Sequence, residues 1–252
     1  MSTAIPRNAI SFVAPHAGYV YSGATAGYTY KALLASNVLA EADTIVLLGP
    51  NHTGRGDYMH PISVSADDWE IPLGIARNDK YLSEALVDGC GIAAKDETAH
   101  AGEHSLEVQL PFMHSLFDSK RFCFVCMGEQ DLESCGQVAT ALISTASKLN
   151  RAIAVVASSD LNHYESAVIA KKKDSALLKN AKSLDYASFN NSVMSIGSSA
   201  CGYGPMTVAM EFASSNGDSE GIILDYSNSG DMTGDYSSVV SYLSMAFIRK
   251  IA

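Results

Sequence analysis

Four short stretches of the chain are almost entirely apolar and show no alternation with polar residues. They are AISFVA (9–14), TIVLLG (44–49), RFCFVCM (121–127) and AIAVVAS (152–158). A strand with one face in water alternates between apolar and polar residues, whereas a strand covered on both faces does not. The pattern therefore predicts four central strands of a sheet that is buried on both sides.

Segments with helical character separate these strands. They are ATAGYTYKALLAS (24–36), DKYLSEALVD (79–88), SLEVQLPFMHSLF (105–117) and CGQVATALISTASKL (135–149). Strands that alternate with helices favour a mostly parallel sheet with crossover helices on both faces. The stretches GIILDYSNSG (221–230) and SSVVSYLSMAFI (237–248) are instead typical of two strands at an antiparallel edge of that sheet. No linker divides the chain, so we predict a single three-layer α/β domain over residues 1–252.

Composition limits the classes of partner that this domain is expected to bind. Hydrophobic residues make up 47% of the chain and charged residues 17%, which leaves ample material for a core. The formal net charge of -10 repels phosphate backbones and anionic bilayers, so we expect neither nucleic acid nor a membrane as partner. The N-terminal residues contain no charged region followed by an apolar signal core, and we expect a cytoplasmic protein.

The cysteine content gives no sign of a disulfide framework. Five cysteines cannot all pair within one chain, and their spacing is not that of a small secreted scaffold. Cys123 and Cys126 form a C-x-x-C pattern inside a predicted strand, where an offset of three residues directs the side chains to opposite faces. We therefore interpret them as core residues rather than as a redox or zinc motif.

Histidines follow three of the four predicted strands. They are His16 in Pro15-His16, His52 in Pro50-Asn51-His52 and His163 in Ser159-Asp160-Leu161-Asn162-His163. The carboxyl ends of parallel strands line the ligand crevice of an open α/β sheet, so we expect these imidazoles to converge. One histidine after a strand is usually an ordinary loop residue, but three in equivalent positions indicate a functional site.

The neighbouring sequence makes two further residues, His104 and Cys201, candidates for the same site. Apolar positions after Glu103 follow helical spacing, which puts His104 in a first helical turn, either directed into the crevice or as an ordinary surface residue. His100 lies four residues earlier, the spacing of a helical metal pair, but Gly102 disfavours a helix there. Cys201 lies in a turn of small residues before an apolar helix, and is either a reactive or metal-binding thiol or a small buried side chain.

Taken together, the polar motifs resemble those of the Memo family. They are APHAGYVYSG, LLGPNHTG, GEHSLEVQLPF, ASSDLNHYE, ACGYGPM and YSNSGDMTGDYSSVVSYLSMAF. The similarity extends, in the same order, from about Asn8 to Ile248. The resemblance implies an α/β fold related to the class III extradiol dioxygenases (LigB-like), which are non-haem iron enzymes that open catechol-type rings.

The resemblance also assigns a metal triad and three polar groups beside it. The triad is His16, His52 and Cys201. The polar groups, which we expect to be catalytic, are Asp160, His163 and His104. In the related dioxygenases two histidines and one carboxylate hold iron(II), and here a thiolate takes the place of the carboxylate. Sulfur lowers the redox potential of a metal and admits copper or zinc as alternatives to iron(II).

The leading hypothesis from the resemblance is an iron(II)-dependent oxidoreductase that acts on a small hydroxylated or aromatic molecule. His163 would be its acid/base, with Asp160 fixing the tautomer, and His104 would hydrogen-bond dioxygen or a substrate oxygen. A non-catalytic metal-binding adaptor and a zinc-dependent hydrolase are alternatives. A Cys201 nucleophile with His163 as its base is another.

The resemblance has implications for partners as well. Members of the family are often encoded beside radical-SAM and AMMECR-type proteins, which implies a functional link to them. The apolar composition is compatible with a homodimer. Many members carry a further segment with a Gly-x-Trp-Tyr motif ahead of the first strand, whereas this chain begins shortly before His16. We therefore expect no pocket wall from that segment, including the one suggested elsewhere for phosphotyrosine-peptide binding.

Overall fold

The computed structural model describes residues 5–117 and 119–250. The strands are β1 (Ala9–Ala14), β2 (Thr44–Pro50), β3 (Ile62–Val64), β4 (Trp69–Ile71), β5 (Gly74–Ala76), β6 (Ala93–Lys95), β7 (Arg121–Met127), β8 (Ile153–Ser158), β9 (Asp160–Glu165), β10 (Ser219–Asn228) and β11 (Val239–Arg249). The helices are α1 (Tyr19–Ala35), α2 (Asn37–Glu41), α3 (Lys80–Gly89), α4 (Glu97–His100), α5 (Leu110–Phe117), α6 (Leu132–Leu149), α7 (Ala167–Lys182), α8 (Tyr186–Ser195), α9 (Tyr203–Ser214) and α10 (Gly230–Thr233), with a 3-10 turn over Glu107–Gln109 before α5. The four apolar runs form β1, β2, β7 and β8, as the sequence predicts.

These four strands form the parallel centre of a large sheet. The strand order is β10-β11-β1-β8-β2-β7-β3-β6, and β9 adds to β11. In the register of the centre, Val155 of β8 lies between Ser11 of β1 and Val46 of β2. The predicted fold class, an α/β fold with a mostly parallel central sheet, is confirmed.

Side chains alternate between the two faces of the sheet and build two hydrophobic cores. Val46 and Leu48 pack with residues of α3, α6, α7, α8 and α9 on one face. Ile45 and Leu47 pack with residues of α1, α2 and α5 on the other. Three layers result, because an apolar strand needs cover on both sides. Among the described residues, every helix is too short or too polar to cross a bilayer.

The C-x-x-C cysteines lie on opposite faces of β7, as their spacing predicts. The Ser83 hydroxyl of α3 lies 3.5 Å from the sulfur of Cys123. The sulfur of Cys126 lies on the other side, 3.8 Å from the Pro50 carbonyl. All five cysteines are free thiols.

Antiparallel strands flank the parallel centre. The C-terminal strands β10 and β11 join beside β1, as the sequence predicts, with Ala9 opposite Ile248. The polar stretch after β8 is also a strand, β9, in which His163 lies opposite Val240 of β11. The sequence pattern predicts no strand in this stretch. Strand β11 extends beyond β1 and offers backbone hydrogen-bonding partners that the local sequence after β8 does not reveal.

Candidate metal centre

Three imidazoles converge at the carboxyl edge of the parallel strands. His16 follows β1, His52 follows β2, and His104 lies in the loop before α5. One ring nitrogen from each lies within 4.8 Å of the other two. The ring of His16 is buried and lies edge-on to the other two, while His52 and His104 stack with their centroids 4.7 Å apart. The side chain of His104 is 54% exposed, so the group opens to solvent on that side.

Hydrogen bonds fix the tautomer of His16. Its Nδ1 lies 2.8 Å from the hydroxyl oxygen of Ser158. That hydroxyl donates its one proton to the Ser105 carbonyl at 2.6 Å and accepts the amide N–H of Gln109 at 2.8 Å. Ser158 can therefore only accept from His16, so the proton of His16 is on Nδ1 and Nε2 keeps its lone pair.

Gln109 is itself held in one orientation. Its Nε2 also donates to the Pro15 carbonyl at 3.0 Å, and its Oε1 accepts from the hydroxyl of Tyr30. Burial raises the pKa of Tyr30 well above its usual value, so the hydroxyl stays protonated and remains a donor. This buried chain of hydrogen bonds, from Tyr30 through Gln109 to Ser158, holds the ring of His16 in place.

A buried carboxylate fixes the second imidazole. Glu103 is 2% exposed, and its Oε1 lies 2.9 Å from Nδ1 of His52. The carboxylate also accepts the backbone N–H groups of His52, His104 and Ser105. Burial raises the pKa of Glu103, but the donors on His52 and Ser105 outweigh burial and lower it to about 2. Because an ionised carboxylate can only accept, His52 carries its proton on Nδ1 and keeps the lone pair of Nε2.

His104 lies beside the same carboxylate but outside any α-helix. Its Nδ1 is 3.5 Å from Oε1 of Glu103. The predicted helical turn at His104 is wrong, since the 3-10 turn begins at Glu107 and α5 at Leu110. The physical reason is that Glu103 accepts the N–H groups of His104 and Ser105, which holds this stretch as a loop around the carboxylate.

Cys201 lies just before α9 and approaches His16. Its sulfur is 3.2 Å from Nε2 of His16 and 3.3 Å from the backbone nitrogen of Asp160. Burial, and then the charge of Asp160, raises the pKa of the thiol. In the part of the chain that the structure describes, the sulfur is not a member of the group within 4.8 Å. Cys201 and His104 both lie beside His16, and either could complete a ligand set. The assignment of Cys201 as a ligand stays a prediction.

The carboxyl group of Asp160 positions His16 rather than His163. Its buried Oδ1 accepts the backbone N–H of His16 at 2.9 Å. Burial raises the pKa of Asp160 to about 6, although N–H donors on His16 and Ala17 lower it. Nδ1 of His163 lies instead 3.0 Å from the carbonyl oxygen of Ser199, which can only accept. The hypothesis that Asp160 fixes the tautomer of His163 is therefore wrong, because Ser199 does so.

His163 lies on β9, outside the three-imidazole group. Since its Nδ1 donates to Ser199, its Nε2 is free to accept a proton. Burial lowers the pKa of His163, and this effect outweighs the hydrogen bonds to the backbone of Ser199 and Leu161, which raise it. The side chain is therefore a neutral base near pH 7.

Sequence comparison relates nearly the whole chain to one family. A family model described as "Memo-like protein" matches residues 2–246. A MEMO1 family protein of Methanopyrus kandleri is 42% identical over 238 residues, covering 94% of this chain and 82% of that protein. Another, of Methanosarcina barkeri, is 40% identical over 240 residues, covering 95% of this chain and 86% of that protein. The chain belongs to the Memo family.

A solved structure shares the fold of this Memo-family chain. It is that of an uncharacterized protein from Escherichia coli K12, with a TM-score of 0.54 and 14% sequence identity. The similarity covers 94% of this chain and 99% of the other. At that identity the likeness concerns the fold alone, and it agrees with the α/β fold that the Memo resemblance implies.

Three residues that hold the imidazoles in place could hardly be identified as such from the sequence of this Memo-family protein. They are Glu103, Ser158 and Gln109. The position of Glu103 beside His104 in GEHSLE is a partial signal, but the imidazole it holds most closely is His52, 51 positions away. Ser158 merely ends an apolar strand, and Gln109 lies in a short turn. Neither of these two positions differs locally from an ordinary core residue.

Proposed function

We propose that this Memo-family protein binds a divalent metal ion through His16 and His52 and acts as an iron(II)-dependent oxidoreductase on a small hydroxylated or aromatic substrate. One observation carries the proposal: both imidazoles are held with the proton on Nδ1, which leaves both Nε2 atoms available as ligands. The third ligand would be Cys201, as the family motif suggests, or His104, as the geometry of the imidazoles suggests.

The donor set fits a first-row transition metal. Imidazole suits iron, copper and zinc, and a carboxylate hydrogen-bonded to the other ring nitrogen, as in His52 and Glu103, is the usual support of a metal-binding histidine. A thiolate from Cys201 would favour copper(I) or zinc over iron(II), whereas His104 would not. The identity of the third ligand therefore decides which metal the site prefers.

Residues beside the proposed metal ligands could accept a proton from the substrate and hydrogen-bond to it. Iron(II) held there would supply Lewis acidity and one-electron redox chemistry. His163 would accept a proton from a substrate hydroxyl at Nε2, because its Nδ1–H is anchored on Ser199 and its lowered pKa keeps it neutral. His104, half exposed at the mouth of the site, would hydrogen-bond a substrate oxygen if it is not a ligand.

A zinc-dependent hydrolase is the second candidate. The group of three histidines favours it, since three histidines with one open position are a known zinc arrangement for activating water. Hydrolysis needs no dioxygen. Turnover in anaerobic solution would therefore support the hydrolase and contradict the oxidoreductase.

Metal content tests the ligand set. Wild type, Cys201→Ser, His104→Ala and His52→Ala are purified anaerobically, loaded with iron(II) and subjected to elemental analysis. We expect a stoichiometric ion in wild type and its loss in His52→Ala, while the other two variants show which side chain is the third ligand. His60→Ala is the control, since His60 is a partly exposed histidine paired with Asp57. Wild type that holds no ion, or His52→Ala that keeps it, contradicts the metal site.

Oxygen uptake tests the reaction. Wild type is assayed with a panel of catechols and enols, and His163→Ala is expected to lose turnover while its metal content stays at the wild-type level. Loss of metal and turnover together would contradict the role of His163 as acid/base. Iron-loaded wild type that consumes no oxygen with any member of the panel would contradict oxidoreductase activity on this substrate class and favour the metal-binding adaptor.

A further inference from the structure

A cavity lies at the opposite edge of the sheet from the metal centre. Its volume is about 640 Å³, and it opens where β1 and β8 begin. Its walls come from the chain before these two strands, from α2, from the C-terminal ends of α6 and α9, and from the end of β11. Cavities of this size commonly accommodate small organic molecules.

Arginines are concentrated at this edge of the sheet. The chain has six arginines, and five of them lie where parallel strands begin or where β11 ends: Arg7, Arg77, Arg121, Arg151 and Arg249. Arg7, Arg151 and Arg249 line the cavity, together with one acidic residue, Glu41. The lining is therefore positive in a chain whose formal net charge is -10.

Two of the three lining arginines are available to a ligand. Arg151 forms a salt bridge with Asp79 at 2.8 Å. Within residues 5–117 and 119–250, the guanidinium groups of Arg7 and Arg249 have neither a salt bridge nor a hydrogen-bond acceptor. Among the same described residues, neither guanidinium caps a helix carbonyl, which is the usual structural role of arginine near helix C-termini. The two lie close together, because the backbone N–H of Arg249 donates to the Asn8 carbonyl at 3.0 Å.

The rest of the lining is apolar with amide groups between. Ile10 and Phe212 are nearly buried and contribute to the wall, as does the partly buried Ile143. The side chains of Asn37 and Asn216 add neutral polar groups. A ligand that fits this lining has an anionic group for the arginines and an apolar body for the wall.

We propose that this cavity binds small organic anions, with a phosphate or carboxylate group on Arg7 and Arg249 and an apolar body against Ile10 and Phe212. Guanidinium groups bind phosphate and carboxylate through paired, charge-assisted hydrogen bonds. Burial of the apolar body adds a second contribution, which an inorganic anion lacks. A neutral alcohol lacks the hydrogen bonds to the arginines. We therefore expect the inorganic anion and the alcohol each to bind more weakly than a molecule that has both the anionic group and the apolar body.

Isothermal titration of the full chain tests the proposal. The probes are hexyl phosphate, hexanoate, inorganic phosphate and hexanol. We expect hexyl phosphate or hexanoate to bind at least about tenfold more tightly than inorganic phosphate or hexanol does. The double variant Arg7→Ala, Arg249→Ala should weaken binding of the amphiphile by about tenfold or more. Arg7→Ala alone should weaken it less, and serves if the double variant does not fold.

A charge-matched double variant distinguishes binding in this cavity from long-range attraction of the anion to the positive edge of the sheet. Arg77→Ala, Arg121→Ala removes the same charge from the same edge, but neither residue lines this cavity. We expect binding to stay within about twofold of wild type. Equal weakening by both double variants, or failure of hexyl phosphate and hexanoate to bind, would overturn the proposal. Binding only to vesicles of phosphatidylglycerol would also overturn it, since the ligand would then be a lipid surface.

Discussion

At the scale of single residues, the metal centre depends on which ring nitrogens carry protons. His16 donates its Nδ1–H to a buried hydroxyl, and His52 donates its own to a buried carboxylate. Both arrangements leave Nε2 free, but an ionised partner makes an imidazole the stronger donor to a metal. Glu103 is therefore the supporting residue with the largest expected influence on affinity.

Replacement of Glu103 by Gln should lower metal affinity about 10- to 100-fold, the range typical of lost supporting contacts. The amide has only one acceptor oxygen for the donors on His52, His104 and Ser105, and its NH₂ group would face N–H groups. Competition with a chelator measures the change. Glu107→Gln, an exposed change four residues along the chain, should leave the affinity as in wild type. Unchanged affinity in Glu103→Gln would contradict the role of the carboxylate.

At the scale of elements, the site depends on close contact between the turn before α9 and the end of β8. A Cβ atom on Gly202 would clash with the carbonyl oxygen of Ser158 and would lie 2.7 Å from Cβ of Ser159. Glycine is required there because the contact atoms include backbone that cannot move away. The same turn places Cys201 beside His16.

Gly202→Ala should therefore lower the free energy of unfolding by about 1–3 kcal/mol, as overpacked substitutions do. Gly27→Ala is the matched control, since Gly27 lies within α1 with open space around it, and should raise stability by about 0.5–1 kcal/mol. Denaturant unfolding measures both changes. A Gly202→Ala protein as stable as wild type would show that the contact relaxes without cost.

Helix α7 is attached to the sheet by a buried acidic group that should make stability depend on pH. The carboxyl group of Asp174 accepts the backbone N–H of Asn162 and the hydroxyl of Tyr226, and burial raises its pKa. The folded state then holds a proton that the unfolded state loses above about pH 4. The stabilising contribution is full below that pH and is lost as pH rises through the folded pKa.

Asp174→Asn carries no such proton, so its free energy of unfolding should depend less on pH than that of wild type. Urea unfolding at about pH 4, 5.5 and 7 measures the two profiles. Asp88→Asn, on the exposed end of α3, should follow the wild-type profile. Parallel profiles for wild type and Asp174→Asn would contradict the assignment.

At the scale of the whole molecule, the sheet separates two edges of different chemistry. Imidazoles and the thiol lie at the carboxyl edge of the parallel strands, and five of the six arginines lie at the amino edge. A strand of six residues such as β1 is about 20 Å long, which exceeds the screening length at physiological ionic strength. A cation at one edge and an anion at the other would therefore have little influence on each other.

A metal ion that binds only the folded chain should stabilise the whole molecule. At a free concentration 100 times the dissociation constant the gain is about 2.7 kcal/mol, which raises the midpoint of thermal unfolding. Zinc, or iron(II) under anaerobic conditions, should raise the midpoint of wild type and of His60→Ala. The rise should be absent in His52→Ala. An equal rise in all three proteins would place the stabilising ion elsewhere.

Much of the fold could be predicted from local patterns. The runs that form β1, β2, β7 and β8 are apolar without alternation, because burial on both faces selects apolar residues at every position. Strand direction then puts His16 and His52 at one edge, since parallel strands end on the same side. The C-terminal strands β10 and β11 were equally predictable from their turn residues.

Tertiary structure alone decided which groups hold the imidazoles. Glu103 meets His52, Ser158 meets His16, and Ser199 meets His163, pairs that lie 36 to 142 positions apart in the chain. The sequence by itself determined the identity of the central strands and the edge at which His16 and His52 lie, because burial on both faces leaves a trace in runs of neighbouring apolar residues. Hydrogen-bond partners leave no such trace, since they depend on where separate loops meet in the folded chain.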